Sequence, residues 1–148
     1  IRLKFRIILE ERMINFNYET DFVLVNEGIL AEWINDCIKN EEHRLEEINY
    51  IFCDDEYLYK LNVEFLNHET LTDIISFDYS FGKIIQGDVF ISVERVMENA
   101  LDFSVPFLDE LHRVMIHGVL HYCGYKDKTP KETVIMREKE NFYLKRLA

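Results

Sequence analysis

Cysteine, proline and glycine are all scarce in this chain: three, two and five among 148 residues. Cys37, Cys53 and Cys123 are odd in number and contain no Cys-x-x-Cys pair, which argues against a disulfide framework and against a four-cysteine zinc site. They read as buried reduced thiols of a cytoplasmic protein. So little Gly and Pro, with no Ser- or Pro-rich run, leaves no room for a linker, an internal repeat or a low-complexity tract. No apolar run approaches the roughly twenty residues that span a bilayer, so no membrane partner is expected. The opening IRLKFRIILEER sets basic residues around a short apolar patch but lacks the hydrophobic region and cleavage site of a signal peptide. Residue 1 is not Met, and a strand-like alternation begins only at MINFNY. The expected organisation is therefore an upstream or artificial extension over residues 1–12 and a single domain over 13–148, with Met13 as the start. What the chain does have is 48% apolar residues, 14% of all residues being aromatic, enough for one cooperative core.

Positive charge is also in short supply. Seventeen Lys and Arg against twenty-eight Asp and Glu give a net charge of −11, which taken whole argues against a partner made of phosphates. The deficit is uneven. Residues 1–110 hold nine basic and twenty-four acidic side chains, whereas residues 111–148 hold eight and four. A basic final third is either a solvated helix face or the part that meets nucleic acid.

Hydrophobic periodicity gives a coarse layout. INFNYETDF alternates as a strand, and NEGILAEWINDCIKN carries a helical stripe of Leu30, Trp33, Ile34, Cys37 and Ile38. EINYIFCDDE reads as a second strand. Asp54 or Asp55 can cap the helix YLYKLNVEFLN, whose Leu58, Leu61 and Phe65 share a face. LTDIISFDYS and QGDVFISV are two more strands joined by a turn around Gly82, and Ser92 can cap VERVMENALDF. A helix is expected from Asp109 through ELHRVMIHGVLHYC, ended by a left-handed Gly124. A last helix opens at Thr129-Pro130. The order β-α-β-α-β-β-α-α-α predicts an α+β domain with one mixed sheet of about four strands and helices packed on it.

The chemistry concentrates in HGVLHYCGYKD, His117 to Asp127. On a helix His117 and His121 are about 40° apart around the axis and about 6 Å along it, so both imidazoles can reach one ion. Gly124 ends the helix and lets the chain return, which brings Asp127 toward the same point as a third ligand. Two imidazoles and a carboxylate leave a coordination position open for water, as in a catalytic site. Zinc is the default ion, and the carboxylate keeps manganese, nickel and iron open. A histidine pair at this spacing also arises by chance on ordinary helices. Gly118 in mid-helix costs roughly 1 kcal/mol relative to Ala, and a close approach by another backbone or by substrate would account for it.

This segment resembles the signature of the YbeY endoribonucleases, the bacterial rRNA maturation factors, which runs His-Gly-x-Leu-His-x-x-Gly-Tyr-Asp-His. LNVEFLNHETLTDIISF, Leu61 to Phe77, is similar to the family's Leu-Asn segment followed by Thr-Asp-Val-Leu-Ser-Phe. Gly87-Asp88 with VFIS is similar to its Gly-Asp strand, and Met136 to Glu140 to its C-terminal helix. The resemblance implies a zinc-dependent endoribonuclease, one Zn2+ per chain, that acts in the cytoplasm on single-stranded RNA in 16S rRNA maturation and ribosome quality control, with rRNA and the small ribosomal subunit as partners. It implies His117, His121 and the position held by Asp127 as metal ligands, and Thr72, Asp73 and Ser76 as residues facing the substrate. The chain departs from the pattern at several positions. Asp127 replaces the family's third histidine, Leu66 stands where an arginine important for activity is usual, and Glu69 and Leu71 replace Asp and Pro.

If the chain cuts RNA with that arginine replaced, another cation would help to hold the phosphate. Arg113, one turn before His117 on nearly the same face, can reach toward the open side of the metal, unless it is simply ion-paired. Lys126 and Lys128 flank Asp127 and supply diffuse attraction to an RNA backbone. His68 reads as a loop residue. The ion would polarise a phosphoryl oxygen or supply hydroxide from a metal-bound water whose pKa falls toward about 7. Gly118 stands where an HExxH peptidase has its glutamate, which removes the usual base for peptide hydrolysis. Glu110 lies two turns back, about 10 Å away, where it can serve only at second hand. Two other readings stand beside the nuclease: a non-catalytic, metal-containing ribosome-assembly or RNA-binding factor, which Leu66 favours, and another small metallohydrolase.

Overall fold

The computed structural model describes residues 14–66 and 71–147. The extension over residues 1–12, the start at Met13, and His68 and Glu69 lie outside the described residues. Nine elements follow in the order β1 (Ile14–Tyr18), α1 (Glu27–Asn40), β2 (Arg44–Cys53), α2 (Asp55–Leu66), β3 (Ile74–Asp78), β4 (Ile84–Ser92), α3 (Val93–Phe103), α4 (Phe107–Tyr122) and α5 (Pro130–Leu147). The strands form one mixed sheet in the order β1-β2-β4-β3. β1 with β2 and β2 with β4 run parallel, and β3 pairs antiparallel to β4. This is the α+β architecture that the periodicity predicts.

Alternation along the strands assigns the two faces of the sheet. Ile48, Tyr50 and Phe52 on β2, with Ile85, Val89 and Ile91 on β4, enter the main core with Leu30, Trp33, Ile34 and Ile38 of α1 and Leu111, Met115 and Val119 of α4. Cys53, Ile75, Phe77 and Phe90 point the other way, into a smaller cluster with Leu58 and Leu61 of α2. The metal-motif helix α4 is therefore a core helix, buried along one face and open on the other. Trp33 Nε1 donates to the Tyr143 carbonyl at 2.8 Å, and so ties α1 to α5 behind it.

The helix ends follow local chemistry. Asp54 Oδ1 accepts the Tyr57 N–H at 2.8 Å, and Ser92 Oγ accepts the Arg95 N–H at 3.1 Å. Thr129 and Glu132 form a reciprocal capping box: Thr129 Oγ1 accepts the Glu132 N–H at 3.1 Å, and Glu132 Oε1 accepts the Thr129 N–H at 3.0 Å. Gly124 has the expected left-handed backbone, φ 103°. Several boundaries differ by a few residues from the sequence-based expectation, and two of them have a visible cause. α4 begins at Phe107 and not Asp109, since extended Pro106 takes the N-cap position and its carbonyl accepts the Glu110 N–H at 3.2 Å. β1 stops at Tyr18, because Phe22 leaves the strand path to pack its ring on Tyr18, Phe52 and Phe107.

Two glycines set how α4 lies on the sheet. A Cβ on Gly87 would sit 2.5 Å from the Tyr122 ring and 2.6 Å from the Phe77 carbonyl oxygen, so only glycine admits the last turn of α4 here. The Tyr122 hydroxyl uses this approach to reach the carbonyls of Phe77 and Asp88, 3.1 and 3.0 Å away. Gly118 faces the side chains of Ile74 and Val89, where a Cβ would stand 3.1 and 3.4 Å from the nearest atoms. The close approach expected at Gly118 is thus to sheet side chains, not to another backbone.

Candidate metal centre

His117 and His121 project from the open face of α4, and the turn through Gly124 brings Asp127 back to them. The three side chains form a group that could hold a metal ion. His117 Nε2 and His121 Nε2 are 2.9 Å apart, and Asp127 Oδ2 is 3.2 Å from the first and 3.4 Å from the second. A tetrahedral ion with bonds of about 2.0–2.1 Å holds its donors roughly 3.3 Å apart, so the triangle is close to the right size.

The proton inventory makes the stronger case. His121 Nδ1 lies 2.9 Å from the Tyr125 carbonyl, which can only accept, so that nitrogen carries the proton. His117 Nδ1 lies 2.7 Å from Glu140 Oε2 and donates to it in the same way. In the neutral rings both Nε2 atoms are then lone-pair acceptors, turned toward each other and toward a carboxylate oxygen. Three acceptors within 3.4 Å repel one another unless a proton or a metal ion sits among them. The donor set, two imidazoles and an exposed carboxylate, fits a divalent ion with an open position.

Glu140, on α5, is the site residue that spacing alone did not single out. Its side chain is 5% exposed, and it receives Arg113 Nη1 at 2.8 Å on one oxygen and His117 on the other. Burial pushes its carboxyl pKa up, but the hydrogen bonds from His117 and Arg113 and the charges of His117 and Arg137 outweigh it and hold the group below its ordinary value. The same pair acts on His117. Burial disfavours the imidazolium, and the Glu140 bond and charge, with Asp127 and Asp73, more than reverse that, so the His117 pKa is raised. This is the carboxylate–histidine–metal arrangement in which the outer carboxylate fixes ring orientation and tautomer. A longer-range signal existed: Glu140 lies in the segment of α5 that resembles the family helix, but nothing in its spacing tells which residue of α4 it meets.

On the other side, the Tyr125 hydroxyl donates to Glu41 Oε1 at 2.6 Å, and Lys139 and Tyr143 also donate to this carboxylate. Glu41 follows α1, so α1 and α5 together clamp the loop whose carbonyl orients His121. Burial raises the Glu41 pKa, yet the bonds from Tyr125, Tyr143 and Lys139 leave it lowered.

A cleft of about 330 Å3 opens beside the three donors, lined among others by Asp73, Glu110, Arg113, His117, Asp127, Arg137 and Glu140. Of the residues expected to face substrate, Asp73 lines it. Burial raises the Asp73 pKa, and its carboxylate accepts from Asn99 Nδ2 at 3.4 Å. Thr72 Oγ1 instead donates to the Ile74 carbonyl at 3.3 Å, and Ser76 sits by the Tyr122 hydroxyl. Lys126 and Lys128 are exposed on the loop and do not line the cleft. Arg113 does line it, but its two Nη groups are engaged by Glu140 and by Asn141 Oδ1, each at 2.8 Å. It serves the carboxylate behind His117. Glu110 is buried at the cleft wall, and burial together with the Asp73 charge raises its pKa. Leu66 ends α2 with an apolar side chain 43% exposed.

Comparison with known proteins agrees with this picture. A family model described as Endoribonuclease YbeY matches residues 14–148. The chain is 62% identical over 129 residues to a protein of Flavobacterium johnsoniae named Endoribonuclease YbeY, covering 87% of this chain and 93% of that one. It is 53% identical over 132 residues to a protein of the same name from Christiangramia forsetii, covering 89% and 92%. A solution structure of a Thermotoga maritima protein superposes with a TM-score of 0.68 at 28% identity, over 91% of this chain and 89% of that one.

Proposed function

The chain belongs to the YbeY endoribonuclease family, and on that premise we propose that it is a zinc-dependent endoribonuclease that cuts single-stranded RNA in 16S rRNA maturation. The observation that carries the proposal is the convergence of His117 Nε2, His121 Nε2 and Asp127 Oδ2, three acceptor atoms within 3.4 Å of one another at the edge of a cleft. A bound divalent ion supplies Lewis acidity toward a phosphoryl oxygen. The chain's own residues supply the rest. His117 and His121 are held in the Nδ1-protonated tautomer by Glu140 and by the Tyr125 carbonyl, so their Nε2 atoms remain available as ligands. Asp127, at 38% side-chain exposure, closes the third side and leaves the remaining direction facing the cleft.

The position of Asp127 supports it as a ligand in place of the family's histidine, since carboxylates bind zinc at nearly the same distance as imidazoles do. No helix among the described residues is long and apolar enough to cross a membrane. The reading places the work in the cytoplasm, with the maturing small ribosomal subunit as partner, and the basic final third of the chain favours that contact. Labelled single-stranded RNA incubated with the pure protein tests it. Cleavage that stops with chelator, returns with zinc and disappears in His117→Ala is expected; intact RNA in the presence of stoichiometric metal would overturn the nuclease reading.

A further inference from the structure

Resting on the ribonuclease reading, the geometry points to Arg137 as the side chain that grips an RNA phosphate next to the metal donors, in the role that Leu66 leaves open. Among the described residues, a phosphate entering this cleft meets Asp73, Glu110, Asp127 and Glu140, four carboxylates, and two guanidinium groups, those of Arg113 and Arg137. Such a wall repels a polyanion unless at least one cation faces outward. Arg113 does not: both Nη groups are bound at 2.8 Å, and only 22% of its side chain is exposed. Arg137 does. It stands one turn before Glu140 on α5, and 57% of its side chain is exposed. Its ion pair with Glu140 Oε1 spans 3.6 Å, beyond hydrogen-bond reach.

The two arginines thus divide the work. Arg113 neutralises the carboxylate that orients His117, which leaves the Arg137 fork unspent within one carboxylate of the same histidine. A planar guanidinium with two parallel donors matches a phosphate bidentately, which an ammonium cannot do. Lys126 and Lys128 lie on the loop outside the cleft wall and attract the strand without locating a phosphate. The bland alternative is that Arg137 serves only as a second counter-charge to buried Glu140, but at 3.6 Å it makes no hydrogen bond to that carboxylate, whose Oε1 already accepts from Arg113 at 2.8 Å.

The test is binding of a non-cleavable 2′-O-methyl RNA oligonucleotide to zinc-loaded wild-type, Arg137→Ala and Arg137→Lys proteins across a salt series, with zinc affinity measured in each. Arg137→Ala is expected to bind RNA about 5- to 10-fold more weakly at moderate salt and to flatten the slope of log K against log salt by about 0.7, one single-strand phosphate contact. Zinc affinity should stay within about 2-fold. Arg137→Lys should restore the slope but, as a point charge, only part of the affinity. Unchanged affinity and slope in Arg137→Ala would overturn the inference, and so would an unchanged slope accompanied by lost zinc, which is the signature of support for Glu140. Wild-type protein that binds RNA but never cuts it would remove the nuclease reading while leaving the Arg137 contact measurable. Wild-type protein that does not bind RNA would end both.

Discussion

The two histidines of the candidate metal centre are held from opposite sides by different means. His117 leans on α5, where a buried carboxylate twenty-three residues away takes its Nδ1 proton and is itself compensated by Arg113. His121 leans on the loop that ends its own helix, where the Tyr125 carbonyl, four residues on, takes the Nδ1 proton. One support is charged, buried and distant in sequence; the other is neutral, backbone-made and local. A carbonyl cannot be mutated away and a carboxylate can, so the α5 side should be the fragile half of the site.

The largest effect is therefore expected at Glu140. Glu140→Gln keeps the shape but removes the charge that His117 and Arg113 share, and zinc affinity should fall about 10- to 100-fold. Stability should fall by about 1–3 kcal/mol, since Arg113 is left facing a neutral group. Zinc titration and chemical denaturation read the two losses. On the loop side Asp127→His should retain zinc within about 10-fold, because imidazole and carboxylate are both good zinc ligands. Complete loss of zinc in that variant would mean that Asp127 is not the third donor.

Tyr125→Phe separates the sides further. It deletes the bond to Glu41 but leaves the carbonyl on His121, so zinc affinity should change by less than about 3-fold while stability drops about 1 kcal/mol. A zinc loss as large as that of Glu140→Gln would erase the asymmetry.

Acid should expose the same contrast. In the metal-free protein the His117 pKa is raised, so the stabilisation from its charged form is complete below the ordinary histidine range and is lost as pH rises through the raised value. Zinc needs the deprotonated ring and competes with that proton, so the titration is read by histidine NMR in the metal-free protein. Glu140→Gln leaves burial, which lowers the His117 pKa, without the Glu140 charge, and the His117 titration midpoint of the metal-free protein should move to lower pH. A midpoint that stays in place would show that Glu140 does not govern His117. Gly118→Ala is the mildest change: the new methyl would crowd Ile74 at 3.1 Å but gain helix propensity, for a net shift within about 1 kcal/mol by thermal denaturation.

The same asymmetry explains what was legible in the sequence. Everything on the loop side is local: the i, i+4 histidines, the left-handed Gly124 and the return of Asp127 lie within eleven residues, where helix geometry alone determines who meets whom. The strand and helix order was legible for a like reason, since period-2 and period-3.6 patterns are written along each element. The α5 side is a tertiary fact. For Arg113 the helix spacing leaves two readings open, the open side of the metal or an ion pair, and the structure pairs it with Glu140 and Asn141, because a buried carboxylate needs its counter-charge more than an exposed cleft does. Gly118 in mid-helix signals a close approach, and the side chains that approach it are those of Ile74 and Val89. Gly87, by contrast, gave no warning in its own neighbourhood, since Tyr122, the side chain that excludes a Cβ there, lies thirty-five residues on.

The measurement that bears most directly on the account is X-ray absorption at the zinc edge of the purified, zinc-loaded protein. It should report a sulfur-free shell of nitrogen and oxygen at about 2.0–2.1 Å, with outer-shell scattering from two imidazoles that falls to one in His121→Ala. A sulfur neighbour near about 2.3 Å, as from Cys123, or a shell without imidazole scattering, would contradict the site described by His117, His121 and Asp127.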